Sequence, residues 1–314
     1  MKLQVLALRW EAEDIISVVL RDPSGDRLPP WTPGAHLALT LPSGLVRQYS
    51  LCGQRDEPYT YTVAVLKVRD GAGGSREIHE RLRVGELIEA GEPRNNFALE
   101  PAPGYLFLAG GIGVTPILAM VDSVRADGGS YRLLYGARSR AAMAFTDRLE
   151  STSRGTVELI AADEAGPIDI VTAMAASPAG TRVYCCGPPA MLSAVQQASA
   201  EYPELVVHFE RFAAAAGNAP ADRHDGPFEV ELAQTGVTVE VGSDQTILDA
   251  VLAVAPDTSY SCASGFCGTC ETKVLGGRVD HRDDLLTEDE QATNSTMMIC
   301  VSRSLGGDRL TLDL

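Results

Sequence analysis

Four cysteines carry the most distinctive chemistry in this 314-residue chain. Cys262, Cys267 and Cys270 form a C-x4-C-x2-C run, and Cys300 follows near the C-terminus. Two irons and two sulfides need four thiolates, three of which a tight loop can deliver, and this is the plant-type ferredoxin spacing. Small residues between the thiols (Ala263, Ser264, Gly265, Gly268, Thr269) let backbone N–H groups turn toward the sulfurs and tune the potential. The competing reading is a zinc site, which favours repeated short pairs over one triplet with a distant single.

Three further stretches could hold a planar, anionic ligand. Arg47-Gln48-Tyr49-Ser50-Leu51 sets a cation, an aromatic face and a hydroxyl side by side at the end of a strand; an ordinary edge strand is the plainer interpretation. Gly71-Ala72-Gly73-Gly74-Ser75 runs into a short amphipathic helix whose N–H groups can cradle a phosphate, or it is a simple loop with Ser75 as N-cap. Gly110-Gly111-Ile112-Gly113-Val114-Thr115-Pro116 closes an apolar strand and opens a helix, which suits a pyrophosphate approaching bare backbone. It departs from G-x-G-x-x-G because Pro116 takes the last place.

The elements that must position these residues fall into three regions. Residues 1–102 show short alternating runs (Leu3–Leu8, Ile15–Leu20, His36–Leu41, Tyr59–Val68, Glu86–Ala90) separated by Gly and Pro turns, the pattern of an antiparallel barrel. Residues 103–212 alternate apolar strands with helices at Pro116–Ala126, Ala141–Leu149 and Pro189–Ala200, which predicts a parallel sheet covered on both faces. Such sheets bind ligands at the carboxyl ends of their strands, so Gly110–Thr115 and Cys186-Gly187-Pro188 face one crevice. Cys185 and Cys186 are adjacent on a strand and point to opposite faces; Cys186 is the one expected in the crevice, with inert buried thiols as the alternative. Residues 213–227 read as a linker. Residues 228–314 begin with a hairpin across Gln234-Thr235-Gly236, then a helix from Thr246 to Ala255, the cysteine loop and a strand at Thr272–Leu275.

Composition narrows the function classes. A formal charge of −16 excludes a basic nucleic-acid face. From Gly226 to Leu314 fifteen Asp and Glu stand against five Lys and Arg, an acidic surface that either serves solubility or docks a basic partner. Seven cysteines without framework spacing fit a reducing setting. No apolar run is long enough to span a membrane, and Arg9 and Glu11 interrupt the N-terminus too early for a signal peptide. The expected location is cytoplasmic.

With these residues in view, the chain resembles the phthalate dioxygenase reductase family, which includes the vanillate O-demethylase reductases. R-x-Y-S-L at Arg47–Leu51, G-G-S at Gly73–Ser75, P-R-N-x-F at Pro93–Phe97, G-G-I-G-x-T-P at Gly110–Pro116, Y-C-C-G-P at Tyr184–Pro188, H-F-E-x-F at His208–Phe212 and the cysteine set occur in family order. The resemblance implies a multidomain α/β and β architecture: a flavin-binding β-barrel, a ferredoxin-reductase-like α/β nicotinamide domain and a C-terminal β-grasp 2Fe-2S ferredoxin domain. It implies FMN, a reduced nicotinamide donor and one 2Fe-2S cluster. Arg47, Gln48, Tyr49, Ser50, Val65 and Lys67 would line the flavin, and Gly73, Gly74 and Ser75 would hold its phosphate. Gly110, Gly111, Gly113, Arg138, Ser139, Arg140, Gly187 and Pro188 would take the dinucleotide. Thr115, Cys186, Glu210 and Phe212 would lie where nicotinamide meets flavin, although Phe212 also reads as a structural aromatic. Relatives carry Arg in the phosphate loop where this chain has Ala72, leaving Arg76 as the nearby cation.

The donor is expected to be NADH by family habit, yet the residues past the second strand, Arg138-Ser139-Arg140, also permit NADPH. No oxygenase element is recognisable, so the acceptor is expected to be a separate terminal oxygenase, Rieske-type or haem-thiolate, acting in aromatic O-demethylation or hydroxylation. A stand-alone flavin or ferric reductase and a redox-sensing iron–sulfur protein are the alternatives.

Overall fold

Period-two apolar patterning folds the N-terminal region into six antiparallel strands: β1 (Lys2–Ala12), β2 (Ile15–Arg21), β3 (His36–Thr40), β4 (Val46–Ser50), β5 (Thr60–Leu66) and β6 (Leu87–Ala90). Their order is β4-β3-β6-β1-β2-β5. The edge strands meet through the Leu51–Val63 bridge, where Cys52 N donates to Thr62 O at 2.9 Å, which closes the sheet into a barrel. Leu3, Val5, Val18, Leu20, Leu37, Leu39 and Val63 fill its interior. Helix α1 (Gly74–Arg81) is tied to β5 by His79 Nε2, 2.9 Å from Val65 O. Strand β4 lacks apolar alternation (VRQYS), which is why only its end was legible in the sequence.

The structure is a computed structural model that describes residues 1–69, 73–150, 155–212, 226–260, 265, 268–283, 285–286 and 288–314. It divides into two compact units, Met1–Phe212 and Ala213–Leu314. The predicted linker lies mostly outside the described residues.

The second sheet of the first unit is wholly parallel. Its strands are β7 (Tyr105–Gly110), β8 (Tyr131–Ala137), β9 (Thr156–Ala161), β10 (Arg182–Cys186) and β11 (Val206–Glu210), in the order β11-β10-β7-β8-β9. Central β7, YLFLAG, is apolar throughout, as a strand covered on both faces must be. Helices α2 (Val114–Ala126), α3 (Thr146–Glu150), α4 (Ala162–Ala165), α5 (Ile170–Ala175) and α6 (Pro189–Ser199) complete this half. The helix predicted over 141–149 is instead a 3-10 turn (Arg140–Ala142) followed by α3, because Phe145 between them adopts φ 62°. Short α4 and α5 carried no period long enough to read.

Helix α2 is apolar on nearly every face and correspondingly buried. It sits in a core shared by barrel residues Ala12, Ile15, Ala64 and Phe97 and sheet residues Phe107, Leu133 and Tyr184. Arg148 of α3 crosses the same seam. It donates to the carbonyls of Cys52 (2.6 Å) and Gly53 (3.1 Å) and pairs with Asp122 of α2.

In the second unit β12 (Phe228–Leu232) and β13 (Val237–Val241) form the expected hairpin. Helix α7 (Ile247–Leu252) is shorter than predicted and starts at a capping box of Thr246 and Asp249. Then come β14 (Glu271–Gly276), β15 (Val279–Asp280), α8 (Glu288–Thr293), β16 (Thr296–Met298), β17 (Arg303–Ser304) and β18 (Leu310–Leu312). The mixed sheet β13-β12-β18-β14-β16, with β12 and β18 parallel, wraps an apolar core against α7 as in a β-grasp fold.

Replacing Arg148 with Met removes the donor to two barrel carbonyls and leaves Asp122 with only the longer contact from Arg125 at 3.5 Å. The substitution should destabilise the first unit by about 3 kcal/mol, measured by chemical denaturation.

Candidate functional site

The site begins where two strands end. After β7 the chain turns through Gly110–Gly113, and after β10 through Gly187 and Pro188. A Cβ on Gly113 would lie 2.3 Å from Cys186 O, and one on Gly110 would lie 2.5 Å from Pro188 Cδ. These two glycines therefore serve contact between the strand ends, a role the sequence did not separate from ligand binding. Gly111 differs: its φ is 53° and open space surrounds it. It offers bare backbone to a cavity of about 620 Å3.

That cavity lies along the carboxyl ends of β7, β8 and β9. Gly111, Arg138, Pro188 and Met191 line it on the sheet side, and Ile168 beyond β9 gives it an apolar wall. Glu13, Ile15 and Leu66 of the barrel close the opposite side. Of the predicted dinucleotide residues, Gly110, Gly111, Arg138 and Pro188 reach the cavity. Thr115 does not; its hydroxyl is buried and donates to Ile112 O at 3.0 Å, where it fixes the glycine turn. Glu13, Ile168 and Met191 carried no motif and were missed.

Cys186 and Glu210 pair in register on β10 and β11. The Cys186 thiol donates toward Glu210 Oε2 at 3.9 Å. Burial, reinforced by the neighbouring carboxylate, holds the thiol far above its usual pKa. Glu210 is partly exposed as a residue, yet its carboxyl is turned inward, and burial raises its pKa from 4.5 to about 8. Ser50, at the end of β4, lies close enough to lower that value somewhat, but its buried hydroxyl closes no well-formed hydrogen bond. Cys185 faces the opposite core, as adjacency on a strand requires. Phe212, two residues past β11, is 39% exposed.

On the barrel side Arg47 lies against the start of α1: a Cβ on Gly74 would stand 2.8 Å from Arg47 Cγ. Gly73 precedes the helix with φ 89°, and the Ser75 hydroxyl accepts from Val68 N at 3.1 Å. A cation and the positive end of an eight-residue helix thus converge, which fits a phosphate monoester. Arg47 is the cation beside this turn; Ala72 lies outside the described residues, and Arg76 is exposed. Burial raises the Tyr49 phenol to about 12, so it stays neutral. Gln48 shares this strand. Two predicted residues are engaged elsewhere: Val65 is fully buried in the barrel core, and Lys67 pairs with Glu80 at 3.0 Å.

In the second unit Cys270 and Cys300 are buried in one core; Cys262 and Cys267 lie outside the described residues. Gly265 adopts φ 77°, and a Cβ there would press to 2.6 Å on Val301 Cγ2, so Gly265 packs directly on the residue after Cys300. Two buried thiols and that close approach fit a cluster held by the loop and Cys300.

Residues 230–305 match the 2Fe-2S iron–sulfur cluster binding domain, and residues 107–197 the oxidoreductase NAD-binding domain. Phenoxybenzoate dioxygenase subunit beta of Ectopseudomonas oleovorans is 42% identical, over 99% of this chain and 97% of that protein. Phthalate dioxygenase reductase of Burkholderia cepacia is 37% identical over 100% of this chain and 97% of the other. The chain belongs to the phthalate dioxygenase reductase family.

A solved phthalate dioxygenase reductase, described as a modular structure for electron transfer from pyridine nucleotides to 2Fe-2S, superposes with a TM-score of 0.76 at 36% identity, covering 100% of this chain and 98% of that one. An intact type IV self-sufficient cytochrome P450 monooxygenase matches at a TM-score of 0.85 and 44% identity; all of this chain corresponds to 41% of that one. This member of the phthalate dioxygenase reductase family is accordingly an NAD(P)H-dependent electron-transfer oxidoreductase with a flavin-binding barrel, an NAD-binding domain and a 2Fe-2S ferredoxin domain. Among the described residues no helix is long and apolar enough to cross a membrane.

The Glu210 shift gives a pH signature. The folded carboxyl keeps its proton to about pH 8, while the unfolded chain releases it near 4.5. Its contribution to stability is therefore complete below about 4.5 and lost as pH rises toward 8. Glu210→Gln removes that loss, so the variant should gain on wild type by roughly a few kcal/mol between those limits. Paired denaturation curves at pH 5 and pH 8.5 measure the gain.

Proposed function

We propose that this chain is the reductase component of a multicomponent oxygenase. It takes a hydride from NADH onto FMN and passes electrons singly through its 2Fe-2S cluster to a separate terminal oxygenase. The observation that carries this reading is the convergence of Ser50, Cys186 and Glu210 beside a dinucleotide-sized cavity, on a chain that also packs Gly265 on the residue next to Cys300. Bound FMN supplies the chemistry that accepts two electrons together and releases them one at a time.

The protein's own groups bind, orient and exclude water. Arg47 and the start of α1 neutralise a flavin phosphate, and neutral Tyr49 offers an uncharged ring and hydroxyl to the flavin. Gly111 lets the nucleotide pyrophosphate approach backbone. Cys186 stays a neutral thiol and shapes the nicotinamide position, while Glu210 holds a proton at its carboxyl near neutral pH. Phe212 stands two residues past β11, at the edge from which nicotinamide would enter. Cys262, Cys267, Cys270 and Cys300 ligate the cluster.

The acceptor is a Rieske-type or haem-thiolate oxygenase that demethylates or hydroxylates an aromatic substrate. Support comes from relatives named for a dioxygenase and for a cytochrome P450 monooxygenase. The acidic second unit docks this partner. Its described arginines are already occupied: Arg278 pairs with Asp308, Arg282 with Asp280 and Arg309 with Glu231, and Arg303 is buried against the carbonyls of Gly226, Gly242 and Gln245. The remaining carboxylates set a negative field.

Cys300→Ser should abolish the visible and EPR signals of the cluster and lower reduction of a one-electron acceptor such as cytochrome c roughly tenfold or more. NADH should still bleach the flavin in that variant. Undiminished acceptor reduction would favour a stand-alone flavin or ferric reductase. Reduction of a basic acceptor by the intact protein should slow steeply between about 0.01 and 0.2 M salt; a salt-independent rate would remove electrostatic docking.

A further inference from the structure

Arg138-Ser139-Arg140 leaves β8 on the side of the cavity from which this class of sheet addresses the adenosine ribose. Two cations there have the chemistry of a 2′-phosphate site. The structure gives each of them an internal occupant. Arg138 Nη2 lies 2.9 Å from Glu13 Oε2 and 3.7 Å from Asp14 Oδ2. Arg140 Nε donates to both oxygens of Glu164, at 3.1 and 3.0 Å.

The main chain fixes both pairings. Glu13 N donates to Ala141 O at 2.8 Å, which pins the β1–β2 turn of the barrel to the arginine loop. Asp14 holds that turn at φ 60°. On the other side Ala137 pairs with Ala161 in parallel register, and Asp163 N donates to Arg138 O at 3.1 Å. The loop after β8 and helix α4 therefore leave the sheet side by side, with Glu164 beside Arg140.

We propose that Glu13 and Glu164 determine the choice of donor, excluding NADPH by occupying the two cations that its 2′-phosphate would need. This rests on the reading that the cavity takes a reduced nicotinamide dinucleotide. The rim carries Arg138 and Arg140, with Arg69 3.7 Å from Asp14, against Glu13, Asp14, Asp163 and Glu164, so carboxylates still outnumber cations four to three. A phosphate monoester brings about −1.5 to −2 charges. It would have to displace a carboxylate and then remain beside it. The neutral 2′-hydroxyl of NADH displaces nothing and can donate to an acid there. Each pair is solvent-exposed, so each exerts a modest effect, and the discrimination comes from several charges acting together.

The test uses the holoprotein and two probes that need no turnover. Calorimetry gives the affinities of 2′,5′-ADP and 5′-AMP, and stopped-flow bleaching of the flavin gives the rates with NADPH and NADH. Wild type should favour 5′-AMP over 2′,5′-ADP, and NADH over NADPH, each by about tenfold or more. Glu13→Gln and Glu164→Gln should each raise the 2′,5′-ADP/5′-AMP affinity ratio roughly three- to tenfold, and the double variant more. Adding Arg140→Ala to Glu164→Gln should cancel the gain, because the released cation is then gone; a general loosening of the site would not reverse in this way. A wild type that binds both probes equally, or a double variant with an unchanged ratio, overturns the proposal. If neither nucleotide bleaches the flavin while the probe ratios shift as expected, the hydride-transfer reading fails and the charge-based discrimination stands.

Discussion

The site depends on one close backbone approach. The turn after β7 touches the end of β10 at distances that no side chain on Gly110 or Gly113 would permit. That contact fixes where α2 starts, and α2 in turn fills the core shared by barrel and sheet. It also sets Cys186 level with Glu210 across β10 and β11, with Ser50 arriving from the barrel. Widening the approach by a methyl group would move the cavity floor and the buried polar trio together. Tight interiors transmit such shifts because they have no slack.

Electrostatics then divides the labour. At the junction the groups are kept neutral: burial raises the pKa values of Cys186, Glu210 and Tyr49 alike. A neutral junction suits hydride transfer, in which no fixed charge should bias the nicotinamide against the flavin. Charge lies instead at Arg47, against the start of α1, and at the Arg138–Glu13 and Arg140–Glu164 pairs. The second unit carries surplus acid on its surface.

Much of this was legible in the sequence because the relevant signals are local. The cysteine spacing, the glycine turn after an apolar strand, and the alternation of β1, β2 and β5 each follow from a few consecutive residues. Adjacency put Cys185 and Cys186 on opposite faces, and the glycine after Cys186 marked it as the one at the crevice. What stayed hidden needed long-range contact. Nothing in VRQYS marks a barrel-closing strand, since its role comes from pairing with β3 and bridging toward β5. The break at Phe145 is a backbone conformation that apolar periodicity cannot show. Glu13 and Glu164 lie far from Arg138 and Arg140 in sequence, so two apparently available cations read as a phosphate site until the fold brought acids to them. Thr115 belongs to the glycine motif, but its hydroxyl bonds the turn itself; of Val65 and Lys67, which carry no motif, the first packs in the barrel core and the second pairs with Glu80.

The central claim is that hydride enters and single electrons leave through one polypeptide. An anaerobic reductive titration with NADH, followed by visible absorption and low-temperature EPR, tests it most directly. The purified protein should take up about three electrons per chain, two in the flavin and one in the cluster, with the EPR signal of a reduced 2Fe-2S centre. Uptake that stops at two electrons, with the flavin bleached and no cluster signal, would contradict it.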